Sequence, residues 1–220
     1  AADLAESTKT ELHESGSFTA TDRSGRNIHF GIREHAMGTI VNGMALHGGV
    51  RSYGATFFVF TDYMRPAVRL SALMDIPSIW VYTHESVFLG EDGPTHQPIE
   101  HLASFRAMPN MRVFRPADAG EMVETWETVL NQAHPAMILG TRQGLPVLDR
   151  PSGGVARGAY VLRDGADLVI IATGSEVSAS LAAADELSGE GVDARVVSMP
   201  CVELFDEQDA AYRESVVGTG

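Results

Sequence analysis

Apolar and polar positions change period repeatedly along the chain, and each change marks an element. Short apolar runs at 28–32, 52–56, 78–84, 111–115 and 136–141 predict strands. Between them, apolar residues recur at helical spacing. Met37, Ile40, Val41 and Met44 do so within 34–46, and Tyr63, Ala67, Leu70 and Met74 within 61–74. Gly48 and Gly49 stop the first of these helices. Pro66 falls early in the second, where a proline costs least. A third helix is expected over 96–106. A fourth starts at Asp118, with Glu121 three residues on as a capping-box variant, and runs to about residue 130. Strands alternating with helices predict an α/β fold with a mainly parallel sheet.

Gly144, Pro146, Pro151, Gly153 and Gly154 crowd into 143–157 and read as a linker. A second α/β unit is expected after it: a strand at 167–172, a helix at 175–187 with Ser175 as N-cap, and a strand at 194–198. This second domain is expected to be incomplete. It ends at Val216-Val217-Gly218 with too little sheet to close a core.

Composition narrows the function classes. Lys plus Arg is 16 against 29 for Asp plus Glu, a net charge of -13, which argues against nucleic acid or an anionic membrane as the main partner. A few local arginines could still hold an anionic small substrate. No apolar run reaches the roughly 18 residues that a membrane span needs. The first nine residues lack the apolar core of a signal peptide. Cys201 is the single cysteine, so no internal disulfide is available, and a reducing cytosol fits. It reads as a small buried hydrophobe.

The stretch GEDGPTHQPIE, residues 90–100, follows a predicted strand and opens a predicted helix. In open α/β sheets ligands sit at the C-terminal ends of strands. Asp92 and His96 are therefore placed for polar or proton-transfer work. No HxxEH, HExxH or paired-Cys spacing suggests a metal held by this chain. His29, His47, His101 and His134 read as surface or satisfied core positions, and His35, beside Glu34, as a candidate neighbour of a ligand.

GEDGPTHQPIEHLASFR, then PN and FRPAD, resembles the signature of the transketolase family. GIREHAMG (31–38), ATFFVFTDY, TRQGLP (141–146) and the later IATGSEVSASLAAADEL (171–187) resemble it too, in the right order. The resemblance implies a thiamine-diphosphate-binding fold. It makes 1–147 a pyrimidine-binding domain, 148–157 a linker and 158–220 part of a C-terminal domain.

It also implies the chemistry. The cofactor must lose a proton from its thiazolium ring, and its own aminopyrimidine removes it when a carboxyl bonds the ring nitrogen. Glu34 matches that carboxyl, a role that needs burial and a raised pKa. Phe57, Phe60 and Tyr63 match the aromatic group on the pyrimidine. Asp3 and Leu4 match residues lining the thiazolium side. Arg142, His84 and Ser7 match the contacts to substrate phosphate, where a planar guanidinium suits the anion. Asp92 matches the partner of a substrate hydroxyl, and His96 a group near the reacting carbon.

By this resemblance the parent enzyme moves a two-carbon ketol unit between sugar phosphates in the pentose phosphate pathway. It would be a cytoplasmic homodimer with active sites at the subunit interface, using thiamine diphosphate and Mg2+ or Ca2+. The family's Gly-Asp-Gly diphosphate loop does not occur in residues 1–220. The metal ligands and half the active site are thus expected on another domain, and this stretch alone is expected to be inactive. The alternatives are a cofactor-capping or dimerising fragment, a split-enzyme subunit, or dihydroxyacetone synthase. Deoxyxylulose-phosphate synthases and 2-oxoacid dehydrogenase beta subunits share the fold but resemble THES and REHAMG less.

Overall fold

The computed structural model describes residues 4–218. In chain order the elements are α1 (Ala5–Thr8), α2 (Glu34–His47), β1 (Tyr53–Phe57), α3 (Arg65–Met74), β2 (Ile79–Thr83), α4 (His101–Arg106), β3 (Arg112–Phe114), α5 (Ala119–Leu130), β4 (Ala136–Leu139), β5 (Tyr160–Arg163), β6 (Leu168–Ala172), α6 (Glu176–Gly189), β7 (Ala194–Ser198), α7 (Val202–Asp206) and α8 (Ala210–Val217). The architecture is α/β. Two compact units form: residues up to Met111 with Ala133–Arg142, and Arg112–Gln132 with the chain from Gln143 onward. This division is not linear along the chain, because β3 and α5 belong with the later residues.

In the first unit β2 pairs in parallel with both β1 and β4. Ile79, Trp80, Val81 and Tyr82 are buried, as expected for a central parallel strand covered on both faces. Helix α2 packs close to α3 at Gly38, where an added Cβ would stand 2.8 Å from the Ala67 Cβ. One turn further on, buried Asn42 donates to the Ala67 carbonyl at 2.7 Å and accepts from the Ser78 hydroxyl at 2.8 Å. That one amide ties α2 to α3 and to the entry of β2, which fixes where the first turn of α2 lies.

Three expectations fail for local reasons. The 28–32 run is not a strand. Its neighbourhood has only a single bridge, Ser17 to Asn27, and Ile32 is 80% exposed. The expected helix over 61–74 splits into a 3-10 turn (Phe58–Tyr63) and α3, with Pro66 in α3's first turn. A proline ring clashes with the carbonyl four residues back, so a continuous helix cannot pass through it. The helix expected from His96 starts only at His101. Gln97, which precedes Pro98, is extended (φ -88, ψ 112), as a residue before proline prefers.

The second unit has a three-stranded sheet ordered β5-β7-β6, with β6 parallel and β5 antiparallel to β7. Strand β5 and helices α7 and α8 had no counterpart in the periodicity reading. Ser175 sits at the head of α6, but its hydroxyl donates to the Glu176 carboxylate and caps nothing. Asp118 does cap α5, accepting from the Glu121 amide at 2.7 Å. The reciprocal bond from Glu121 reaches the Ala117 amide at 2.7 Å, one residue before the cap. Residues 148–153 are strapped to α5: the Leu148 amide donates to Asp118, and the Arg150 guanidinium and Gly153 amide to Glu124. The thiol of Cys201 is buried and pushed up by burial, which keeps it protonated.

Glu121 is fully buried. It accepts from the Tyr160 hydroxyl at 2.7 Å and the Ser198 hydroxyl at 2.6 Å besides Ala117. Glu121→Ala strands three buried donors and should cost about 3–5 kcal/mol. Urea unfolding measures it, and a loss under about 1 kcal/mol would contradict this role.

Candidate active site

The parallel register brings three strand ends together. Phe57, the last residue of β1, pairs with Thr83, the last of β2. The Gly140 amide, just past β4, donates to the Tyr82 carbonyl at 2.8 Å. Three loops therefore leave one edge of the sheet side by side, carrying Phe57 to Tyr63, His84 to His96, and Arg142.

His84 is the centre of this cluster. It follows β2 with φ +62°, a left-handed conformation that non-glycine residues seldom adopt. The adjacent Glu85 amide donates to the Gly140 carbonyl at 3.4 Å. The conformation turns the imidazole onto Phe57, with ring centroids 3.7 Å apart and planes 24° apart. Phe57 stacks on Phe60 at 5.9 Å, and Phe60 on Tyr63 at 6.0 Å. His96 meets the edges of Phe57 (6.2 Å) and Phe60 (5.4 Å). Phe57 is buried whereas Tyr63 is 65% exposed, so the aromatic row runs from core to surface.

Each histidine is oriented by the threonine before it. The Thr83 hydroxyl bonds His84 Nδ1, and the Thr95 hydroxyl bonds His96 Nδ1, both at 2.9 Å. Among the described residues no hydrogen bond to either Nε2 is formed, which leaves it for another partner. Arg142 closes the cluster, with Nη2 3.2 Å from Glu91 and Nε 3.7 Å from Asp92. Two acids and a cation thus stand beside two imidazoles at the open end of a sheet. That arrangement can bind an anion at Arg142, bond hydroxyls at Asp92 and exchange protons at His96.

The remaining predicted residues lie differently. Glu34 opens α2, is buried, and makes no side-chain hydrogen bond to a described residue. Helix α2 packs against the 3-10 turn that carries Phe60 and Tyr63. Leu4 precedes α1 and Ser7 is exposed within it; α1 packs beside β1, the strand that ends in Phe57. Asp3 lies outside the described residues. An apolar cleft of about 500 Å³, lined by Phe18, Ile28, Phe30 and Met44 among others, contains none of the predicted site residues.

The comparisons with known proteins match this picture. Residues 1–147 match the model of "Transketolase, pyrimidine binding domain", and 158–220 that of "Transketolase-like TK C-terminal domain". The chain belongs to the transketolase family. It is 52% identical to a transketolase of Halalkalibacterium halodurans and 51% identical to one of Aquifex aeolicus, with 98% of this chain aligned in each case. It spans about a third of the length of these curated transketolases: 34% and 32%. Among solved structures, a Pichia stipitis transketolase in complex with sedoheptulose-7-phosphate superposes with a TM-score of 0.94 at 46% identity, covering 97% of this chain and 33% of that one. A chain described as a split-gene transketolase, an inactive β4 tetramer, gives 0.79 at 30% identity, covering 99% of this chain and 69% of that one.

Against the transketolase expectations, the structure brings together Phe57, Phe60, Tyr63, His84, Asp92, His96 and Arg142. Sequence reasoning missed Thr83, Thr95 and Glu91. The two Thr-His pairs were the available signal, since a hydroxyl next to an imidazole can fix which nitrogen faces outward. His101 lies in the core, as one of the two expected readings had it, with Nε2 3.2 Å from Asp62 Oδ2. Neither ring nitrogen makes a hydrogen bond to a described residue.

Burial holds the His84 imidazole below its ordinary value of 6.5; Asp92 opposes this, and Arg142 and His96 reinforce it. The unfolded chain then takes up the proton first as pH falls through 6.5. His84 accordingly subtracts stability as pH drops from there toward its folded value, and nothing above. NMR titration should give His84 a pKa under 6.5, lowered further by Asp92→Asn and raised by Arg142→Gln. A value at or above 6.5 would contradict the assigned environment.

Proposed function

We propose that the enzyme carrying this chain transfers a two-carbon ketol unit from a ketose phosphate to an aldose phosphate with thiamine diphosphate. The observation that carries this reading is the strand-end cluster: an aromatic row beside two oriented imidazoles, an aspartate and an arginine.

The residues present fit the cofactor's pyrimidine half. Phe57, Phe60 and Tyr63 offer a stacked row that opens to solvent. Glu34 is a buried residue at the head of α2 whose carboxylate makes no hydrogen bond to a described residue, so it is open to a pyrimidine nitrogen. Bound thiamine diphosphate would supply a carbon nucleophile and an electron sink. Glu34 holds and shares a proton at the pyrimidine nitrogen. Arg142 and His84 hold the sugar phosphate, with Ser7 as a further contact. Asp92 accepts from a substrate hydroxyl, and His96 Nε2 moves protons at the substrate's carbonyl end. Asp3 and Leu4 are assigned to the thiazolium side. The divalent metal that the family implies would draw its ligands from sequence outside residues 1–220, and no step is assigned to it. The site would be completed across a homodimer interface, in a cytoplasmic enzyme of sugar-phosphate metabolism.

A second reading rests on the split-gene relative, of which this chain spans 69%. There the chain would be one subunit of a two-part transketolase. Mixing it with a separately produced cofactor-diphosphate domain would restore activity if that reading holds, and leave it absent if not.

Glu34→Gln keeps the side-chain shape but removes the shared proton. It should lower kcat of the assembled enzyme by about 10²–10⁴-fold, the range for loss of an acid-base group. Activity within tenfold of wild type would refute the assignment.

A further inference from the structure

We propose that Asp62, Glu100 and His101 form a binding site for a divalent transition-metal cation. The His101 imidazole is 3% exposed, and neither Nδ1 nor Nε2 has a hydrogen-bond partner. Leaving buried polar atoms unsatisfied costs about 1–3 kcal/mol each, so such a ring calls for a partner. The ring faces two carboxylates: Nε2 lies 3.2 Å from Asp62 Oδ2, and Nδ1 3.9 Å from Glu100 Oε2. One donor atom from each of the three residues lies within 4.8 Å of the other two.

The 3.2 Å spacing suits a direct ion pair as well as a shared ion, and the missing hydrogen-bond alignment favours the ion. Nitrogen and oxygen ligands sit about 2.0–2.2 Å from zinc, so two of them at right to tetrahedral angles stand ~3.0–3.5 Å apart. The 3.2 Å between Nε2 and Oδ2, without hydrogen-bond alignment, is that ligand–ligand separation. Glu100 is 74% exposed and free to swing inward, and Asp62 is 51% exposed, which leaves an entry path for the ion. Arg65 holds the other Asp62 oxygen, Oδ1, at 3.2 Å, and so turns Oδ2 toward the ring. Two carboxylates against one guanidinium leave a net negative site. One imidazole with two carboxylates suits zinc, manganese, iron or cobalt, whereas magnesium and calcium favour all-oxygen sets.

The placement gives the ion a role. Asp62 belongs to the 3-10 turn that carries Phe60 and Tyr63, while Glu100 and His101 head α4. An ion here would staple the aromatic turn to α4. It lies outside the proposed catalytic cluster, so the inference does not depend on that reading.

The test is titration of metal-stripped protein with Zn(II), and with Co(II) for its absorption, using Mg(II) as control. Wild type should bind one equivalent of zinc and gain thermal stability with it. Asp62→Asn and Glu100→Gln, at exposed positions that leave the circular dichroism spectrum intact, should each weaken zinc at least tenfold, the lower bound even for outer-shell changes of about 10–100-fold. His101→Asn should abolish it. No zinc bound by wild type, or unchanged affinity in either exposed variant, would overturn the site.

Discussion

Parallel register is the constraint on which the rest of the first unit depends. Side chains alternate faces along a strand, so slipping β1 by one residue against β2 would turn Phe57 away from His84. The same pairing sets Gly140 beside Tyr82 and lets the chain deliver Arg142 to the same edge. Three separate stretches of sequence thus meet because backbone hydrogen bonds hold one alignment. The buried side chains of β2 and the Asn42 tie enforce that alignment from the helices.

His84 shows how the sheet is used. Its left-handed backbone is an unfavourable conformation for a residue with a Cβ, and surrounding structure must hold it. Phe57 under the ring, Thr83 on Nδ1 and the Glu85–Gly140 bond do so. The result is an imidazole fixed in direction and kept neutral by burial near pH 7. A group of this kind can bond an anion's oxygen without adding its own desolvated charge.

Much of this was legible in the sequence. Periodicity located α2, β1, β2 and β4, and the GEDGPTHQ stretch falls at a strand end as expected. The misses have identifiable causes. Pro66 and Pro98 break helices that apolar spacing alone would continue. The run at 28–32 has strand composition but, among the described residues, pairs with no strand, and composition cannot report a partner. The Asp62–Glu100–His101 group was invisible because its members lie 38 residues apart or adjacent, at no metal-binding spacing. The aromatic row could be suspected from ATFFVFTDY, but the stack of His84 on Phe57 needs the parallel pairing, which single-sequence patterns do not encode. The family resemblance supplied roles that geometry alone leaves open, above all for Glu34.

The most direct measurement is a crystal structure of the enzyme that carries this chain, with thiamine diphosphate and a ketose phosphate bound. The account predicts the pyrimidine ring against Phe57, Phe60 and Tyr63, and the sugar's phosphate within hydrogen-bond reach of Arg142 and His84. Ligands bound away from this sheet edge, with the aromatic row and Arg142 untouched, would contradict it.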